Sequence, residues 1–144
     1  MNAQAYLKLQ EKQRKDYEEF PIAYAFNEEQ LKEALEKLGA KKEECVTLYN
    51  CGDIMKKTDV PAYKEMVKRH REEIFELLKD EQAAEEAFLY EMDNHEYAIN
   101  WTGDDDVMAC FNVTYEMLDE MGLRAAYLRA RKKHMEHARE WDMI

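Results

Sequence analysis

Three residues are of a type and spacing that could do chemistry together: His70, Glu91 and His95. On a helix of ~100° per residue, Glu91 and His95 fall within an arc otherwise made of Ala83, Ala84, Ala87, Phe88 and Tyr90. His70 lies in the apolar stripe of the preceding helix. A fold-back near residues 80–81 would bring His70 level with Glu91. Two imidazoles and a carboxylate can ligate zinc or another borderline metal, or exchange protons with a substrate. The same three residues also make a buried polar cluster in which a carboxylate finds donors, the usual fate of buried polar groups. No fourth ligand is evident, because His134 and His137 are placed on a distant helix. The cluster is therefore expected to be buried and structural, with no metal and no cofactor.

Other chemistries find less support. Asp104, Asp105 and Asp106 lack the alternating ligands, central Gly and distal Glu of a calcium loop. They suit a helix N-terminus, where acids offset the macrodipole. Cys45, Cys51 and Cys110 form an odd set without C-x-x-C spacing, which points to a reducing compartment rather than a disulfide scaffold or zinc site. There is no Gly-x-Ser-x-Gly and no Gly-rich phosphate loop. The expectation is a protein without catalytic residues.

Charge gives the stronger signal. The net charge is −11, and the stretch Glu81–Glu120 holds twelve acids and no Lys or Arg. The remaining 104 residues carry 20 acids and 21 bases. Like charges at helical spacing, as in Glu81/Glu85 and Glu116/Glu120, cost about 0.2–0.5 kcal/mol per pair. Such a field attracts a basic protein surface and repels nucleic acid. Glu81, Glu85, Glu86, Asp93, Glu96, Asp104, Asp105, Asp106, Glu116, Asp119 and Glu120 are accordingly the expected partner-binding residues. Forty helical residues span ~60 Å, so twelve acids sit ~5 Å apart. Folded into adjacent elements, they approach the ~3.4 Å charge spacing of a single DNA strand, which admits DNA mimicry. The bases Arg129, Arg131, Lys132 and Lys133 are diluted by Glu136, Glu140 and Asp142, and are read as a solvated helix face or as partners of the acidic segment.

The elements that position these residues are mostly helical. Only four Gly and two Pro among 144 residues, with 37% charged, favour helix. Apolar periodicity and capping predict helices near 3–19, 28–38, 60–79, 82–95 and 115–141, with a short helix restarting at Gly103-Asp104. Asn27 and Gln30 form a capping box, Gly39 ends the helix it opens, and Thr114 caps the last segment. Ile22–Phe26, Cys45–Tyr49 and Ile54–Lys57 are the predicted strands. The expected fold is α+β, mostly α: one helical domain over residues 1–144 with a small three-stranded antiparallel sheet. No apolar run approaches membrane-spanning length and the first residues lack an apolar leader, so a soluble cytoplasmic protein is expected.

Three phrases carry a resemblance: Phe20–Gln30, then Lys57-Thr58-Asp59 with Lys68-Arg69-His70, then Phe88-Leu89-Tyr90-Glu91-Met92-Asp93-Asn94-His95-Glu96-Tyr97. Over roughly residues 15–106 the chain resembles a small uncharacterised family carried by phages and mobile elements of gut Firmicutes. That resemblance carries over no catalytic residues, and it marks Asn94, His95 and Glu96 as a site or a corner of the fold. Small acidic proteins of such elements include anti-CRISPR inhibitors of type II effector nucleases. By this analogy the chain is expected to be a phage-type inhibitor that acts in the host cytoplasm. It would bind a basic, nucleic-acid-handling surface of a host defence nuclease through residues 81–120. The alternatives are a small metal-binding or accessory enzyme using His70, Glu91 and His95, or a non-catalytic phage assembly module that oligomerises through apolar helix faces.

Overall fold

A computed structural model describes residues 3–48, 51–94 and 103–140. Its elements run α1 (Gln4–Glu19), β1 (Ala23–Tyr24), α2 (Glu28–Leu38), β2 (Cys45–Val46), β3 (Asp53–Lys56), α3 (Val60–Leu78), α4 (Glu81–Asn94), α5 (Gly103–Ala109), α6 (Tyr115–Glu120) and α7 (Arg124–Glu140). Single 3₁₀ turns precede β2 and α3. The fold is mostly α with one small antiparallel sheet, as the sequence predicts. The chain divides into two compact units, Glu11–His70 and Met1–Gln10 with Arg71–Ile144. They are called here the sheet unit and the helical unit.

In the sheet unit the strand order is β1-β3-β2, both pairings antiparallel, with Ala23 opposite Ile54 and Cys45 opposite Lys56. β1 and β2 are shorter than predicted, β3 keeps its predicted four residues but starts at Asp53, and side-chain bonds replace the ladder near the hairpin tip. Asp53 is buried and accepts from the Thr47 hydroxyl at 2.9 Å and the Leu48 N–H at 2.8 Å. Tyr49 and Asn50 lie outside the described residues. Gly52 has φ +87°, and a Cβ there would stand 2.6 Å from the Phe26 ring, so both backbone and space require glycine. The Asn27 side chain accepts from the Gln30 N–H at 2.8 Å while Gln30 accepts from the Phe26 N–H at 2.9 Å. Gly39 closes α2 at φ 64°. Two small apolar clusters result, Ala23 with Ala34 and Leu38, and Met55 with Tyr63 and Met66.

The helical unit has one larger core built on Tyr6, Leu78, Phe88, Met92, Phe111, Leu118 and Tyr127. Phe88 meets Phe111 at 5.2 Å and Tyr127 at 5.3 Å between ring centroids, both edge-to-face. Helix α3 ends without Gly or Pro. Asp80 stops it by accepting the Ala83 N–H at 3.1 Å, capping α4. The helix predicted over 115–141 is two helices, because Gly122 adopts φ 71° between α6 and α7. Thr114 caps α6, accepting from the Met117 N–H at 3.2 Å. On α7 the face Leu123, Ala126, Tyr127, Ala130, His134 and Ala138 is buried, as its spacing predicts. Trp141 lies outside the described residues.

Candidate binding surface

Helices α4 and α7 pack side by side, and the charged residues along their seam decide which acids remain available. Arg129 donates to Glu81 at 2.7 Å and to Glu85 at 2.5 Å, and Lys133 donates to the other Glu85 oxygen at 2.5 Å. One carboxylate, Asp93, holds the Nδ1 of His134 at 2.6 Å and of His137 at 3.0 Å. These pairs advance in the same direction along both helices, so α4 and α7 run parallel. Parallel macrodipoles repel weakly, and a seam of opposite charges offsets that. Burial alone would raise the Glu85 carboxyl. Hydrogen bonds from Lys133 and Arg129 outweigh it and hold the group below its ordinary range.

This corrects the expectation that Glu85 and Asp93 are partner-binding residues facing solvent. Glu85 is 7% exposed and Asp93 is half-buried, both turned toward α7. A helical wheel treats every polar arc as water-facing, whereas here the neighbour is a basic stripe. Arg129, Lys133 and His137 recur every four residues on α7, the signal that could have revealed the pairing. His134 and His137, set aside as distant, close on Asp93.

Elsewhere the acids differ in kind. Asp104 at the start of α5 accepts from Tyr115 at 2.6 Å and Tyr127 at 2.7 Å. Burial, then the bond to Asp104, pushes the Tyr115 hydroxyl up to about 12. Asp119 pairs with Arg124 at 2.8 Å, and Arg124 also stands 5.2 Å from the Tyr115 ring centroid. Asp105, Asp106, Glu116 and Glu120 are exposed, and their carboxylates make no ion pair or hydrogen bond among the described residues. Glu86 is half-buried and takes one bond, from the Gln82 amide at 3.3 Å. Glu96 and His95 lie outside the described residues.

His70 and Glu91 are each buried, and each is held by its own set of partners. The His70 Nε2 meets Asp16 at 2.8 Å, Arg69 reaches the same oxygen at 3.2 Å, and the Tyr17 ring stands edge-on at 5.1 Å. Glu91 accepts from Tyr6 at 2.8 Å, Gln10 at 3.2 Å and the Cys110 thiol at 3.3 Å. Burial and then Glu91 raise the Tyr6 hydroxyl, and the same causes push the Cys110 thiol up to about 12. Cys110 is thus a hydrogen-bond donor rather than a nucleophile at neutral pH. These bonds tie α1, α4 and the end of α5 together. All three cysteines are free thiols. Among the described residues no group of three or more His, Cys, Asp or Glu is arranged to hold a metal ion. No serine occurs in the sequence, so neither the His70–Asp16 pair nor the Asp93–histidine group has a serine to activate.

A family profile matches residues 5–133, from the first turn of α1 to Lys133 of the α4–α7 seam. The chain belongs to the DUF7659 family. That family is described as one of unknown function, which agrees with the resemblance to an uncharacterised family. The match includes Glu85, Arg129 and Lys133, and ends just before His134 and His137. Neither curated proteins nor solved structures give a match. Among the described residues no helix is long and apolar enough to cross a membrane.

Proposed function

We propose that this DUF7659 protein is a non-catalytic interaction protein that binds a basic, nucleic-acid-handling protein surface, acting as a phage-type inhibitor of a host defence nuclease such as a type II CRISPR effector. The observation that supports this is the division of the acids. Those of α4 are largely neutralised by α7, while Asp105, Asp106, Glu116 and Glu120 on α5 and α6 are exposed and unpaired among the described residues. Unpaired carboxylates on one stretch of chain steer and select a basic partner. The contact of this proposal is therefore narrower than residues 81–120 and centres on α5 and α6.

The test is DNA cleavage by a purified type II effector, with the protein titrated in at two salt concentrations. Inhibition is expected, weaker at high salt because the Debye length shrinks from ~10 Å at 0.1 M to ~3 Å at 1 M. Changing Asp105, Asp106, Glu116 and Glu120 to Lys should abolish it. Changing Glu33, Glu36, Glu43 and Glu65 of the sheet unit, an equal shift in charge, should leave most of it. Equal losses from both sets would reduce the effect to bulk charge, and no inhibition by the unaltered protein would reject this target.

A further inference from the structure

The helical unit carries a cleft of about 460 Å³ between the N-terminal end of α1 and the α4–α7 seam. Leu7, Leu89 and Tyr90 supply its apolar wall, and Glu86, Lys133 and His137 stand at its polar side. Leu7 is 38% exposed there, an apolar side chain left in water. The charged groups are not equivalent. Lys133 is committed to Glu85 at 2.5 Å, and the Nδ1 of His137 to Asp93 at 3.0 Å. Glu86 has only the long bond from Gln82, makes no ion pair among the described residues, and is half-buried. Glu86 therefore offers a carboxylate with no cation partner among the described residues, beside the apolar wall. The cleft's chemistry is thus an apolar wall beside one uncompensated negative charge.

We infer that this cleft is an anchor site for a partner protein, seating an apolar side chain with a lysine or arginine of the same segment paired to Glu86. The choice of a basic segment follows from charge complementarity: the unit around the cleft carries 19 acids against 9 bases. An acidic ligand would meet Glu86, with the Lys133 ammonium already committed to Glu85 and the His137 Nδ1 to Asp93. The inference deepens the preceding proposal and rests on it for the partner's basic character. It adds a second contact, apolar at its centre, to the charged one on α5 and α6. Buried apolar anchors flanked by rim charges are the usual distribution of energy in an interface.

Blocked peptides test it on the full chain: acetyl-Leu-Arg-Leu-Arg-amide and the same sequence with Glu in place of Arg, titrated into ¹⁵N-labelled protein. The basic peptide should shift the amides of Leu7, Glu86, Leu89 and His137 with saturation, and the acidic one should not. Glu86→Gln should weaken binding about threefold, the scale of a partly exposed ion pair. Leu7→Gln should weaken it about fivefold through lost apolar contact. Glu43→Gln, an exposed position of the sheet unit, should leave it unchanged, and circular dichroism should show all three variants folded. Equal binding of both peptides, no saturating shift, or indifference to Glu86→Gln overturns the site. So does binding that appears only after residues 141–144 are deleted, or a dimer in sedimentation that Leu7→Gln dissolves, since the chain itself would then be the occupant. Failure here with charge reversal on α5 and α6 still abolishing nuclease inhibition removes the cleft alone. Peptide binding without any such inhibition removes the nuclease reading and leaves the cleft.

Discussion

The sheet unit, residues 11–70, carries 13 acids and 12 bases; the helical unit carries 19 and 9. Their way of handling charge differs as much as the totals do. In the sheet unit Arg14 is paired within α1, between Glu11 and Glu18, and Asp16 of α1 meets Arg69 and His70 of α3. In the helical unit the acids of α4 have no base on their own helix, and their neutralisation depends on tertiary packing of α7 on α4. Pairing runs out at α5 and α6, where exposed carboxylates remain. Net charge alone would treat all the acids of residues 81–120 as one surface. The comparison separates those that hold the fold from those available to a partner.

Their cores differ in the same sense, and truncating each should give the largest effects. Phe88 is fully buried between Phe111 and Tyr127, so Phe88→Ala should cost about 4 kcal/mol in urea unfolding. Met55, in a cluster whose other fully buried members are Tyr63 and Met66, should cost about 2–3 kcal/mol as Ala, because a smaller buried cluster relaxes more readily. A larger loss at Met55 would show that the sheet unit is the better packed of the two.

Adjacent acids sharpen the contrast at a smaller scale. Glu85→Gln keeps the shape of the side chain but removes the charge facing Arg129 and Lys133. It should cost about 1–2 kcal/mol, less than a fully buried charged pair because those cations remain 49% and 39% exposed. Glu86→Gln, the next residue, should change stability by less than about 0.5 kcal/mol. Equal costs would mean that the seam contributes nothing beyond helix propensity and overall charge.

How much of this was legible in sequence depends on whether the deciding interaction is local. Helix α2 was, since Asn27, Gln30 and Gly39 lie within its own span. The buried face of α7 was too, because periodicity reports it directly. Gly122 was passed over because apolar residues on both sides, Leu118 and Leu123, carry the pattern across the break. Burial of Glu85 and the grip of Asp93 on two histidines depend on which helix packs against α4. No window along α4 contains that information. For Glu91 the position in an apolar arc was informative, but the donors Tyr6 and Gln10 come from the other end of the chain.

The smallest effect concerns a carboxylate in the sheet unit and its counterpart in the helical one. A hydrogen bond from His70, then Arg69, holds the Asp16 carboxyl below its ordinary range, while burial opposes them. A depressed carboxyl contributes stability that is fully present above its unfolded value, about 3.9 for Asp, and is lost as pH falls through the folded value. Glu85 obeys the same sign, with an unfolded value near ~4.3. Unfolding free energy measured between pH 6 and pH 2 should therefore fall on the acid side in the unaltered protein. Glu85→Gln should flatten that fall clearly, because its side chain is only 10% exposed. Asp16→Asn should flatten it slightly, since its pair with Arg69 is half in water and screened. Raising salt to 1 M should erase most of the Asp16 difference and little of the Glu85 one. If the two variants change the acid limb alike at both salt concentrations, the α1–α3 pair of one unit and the α4–α7 seam of the other are energetically equivalent. The distinction between them would then be one of geometry alone.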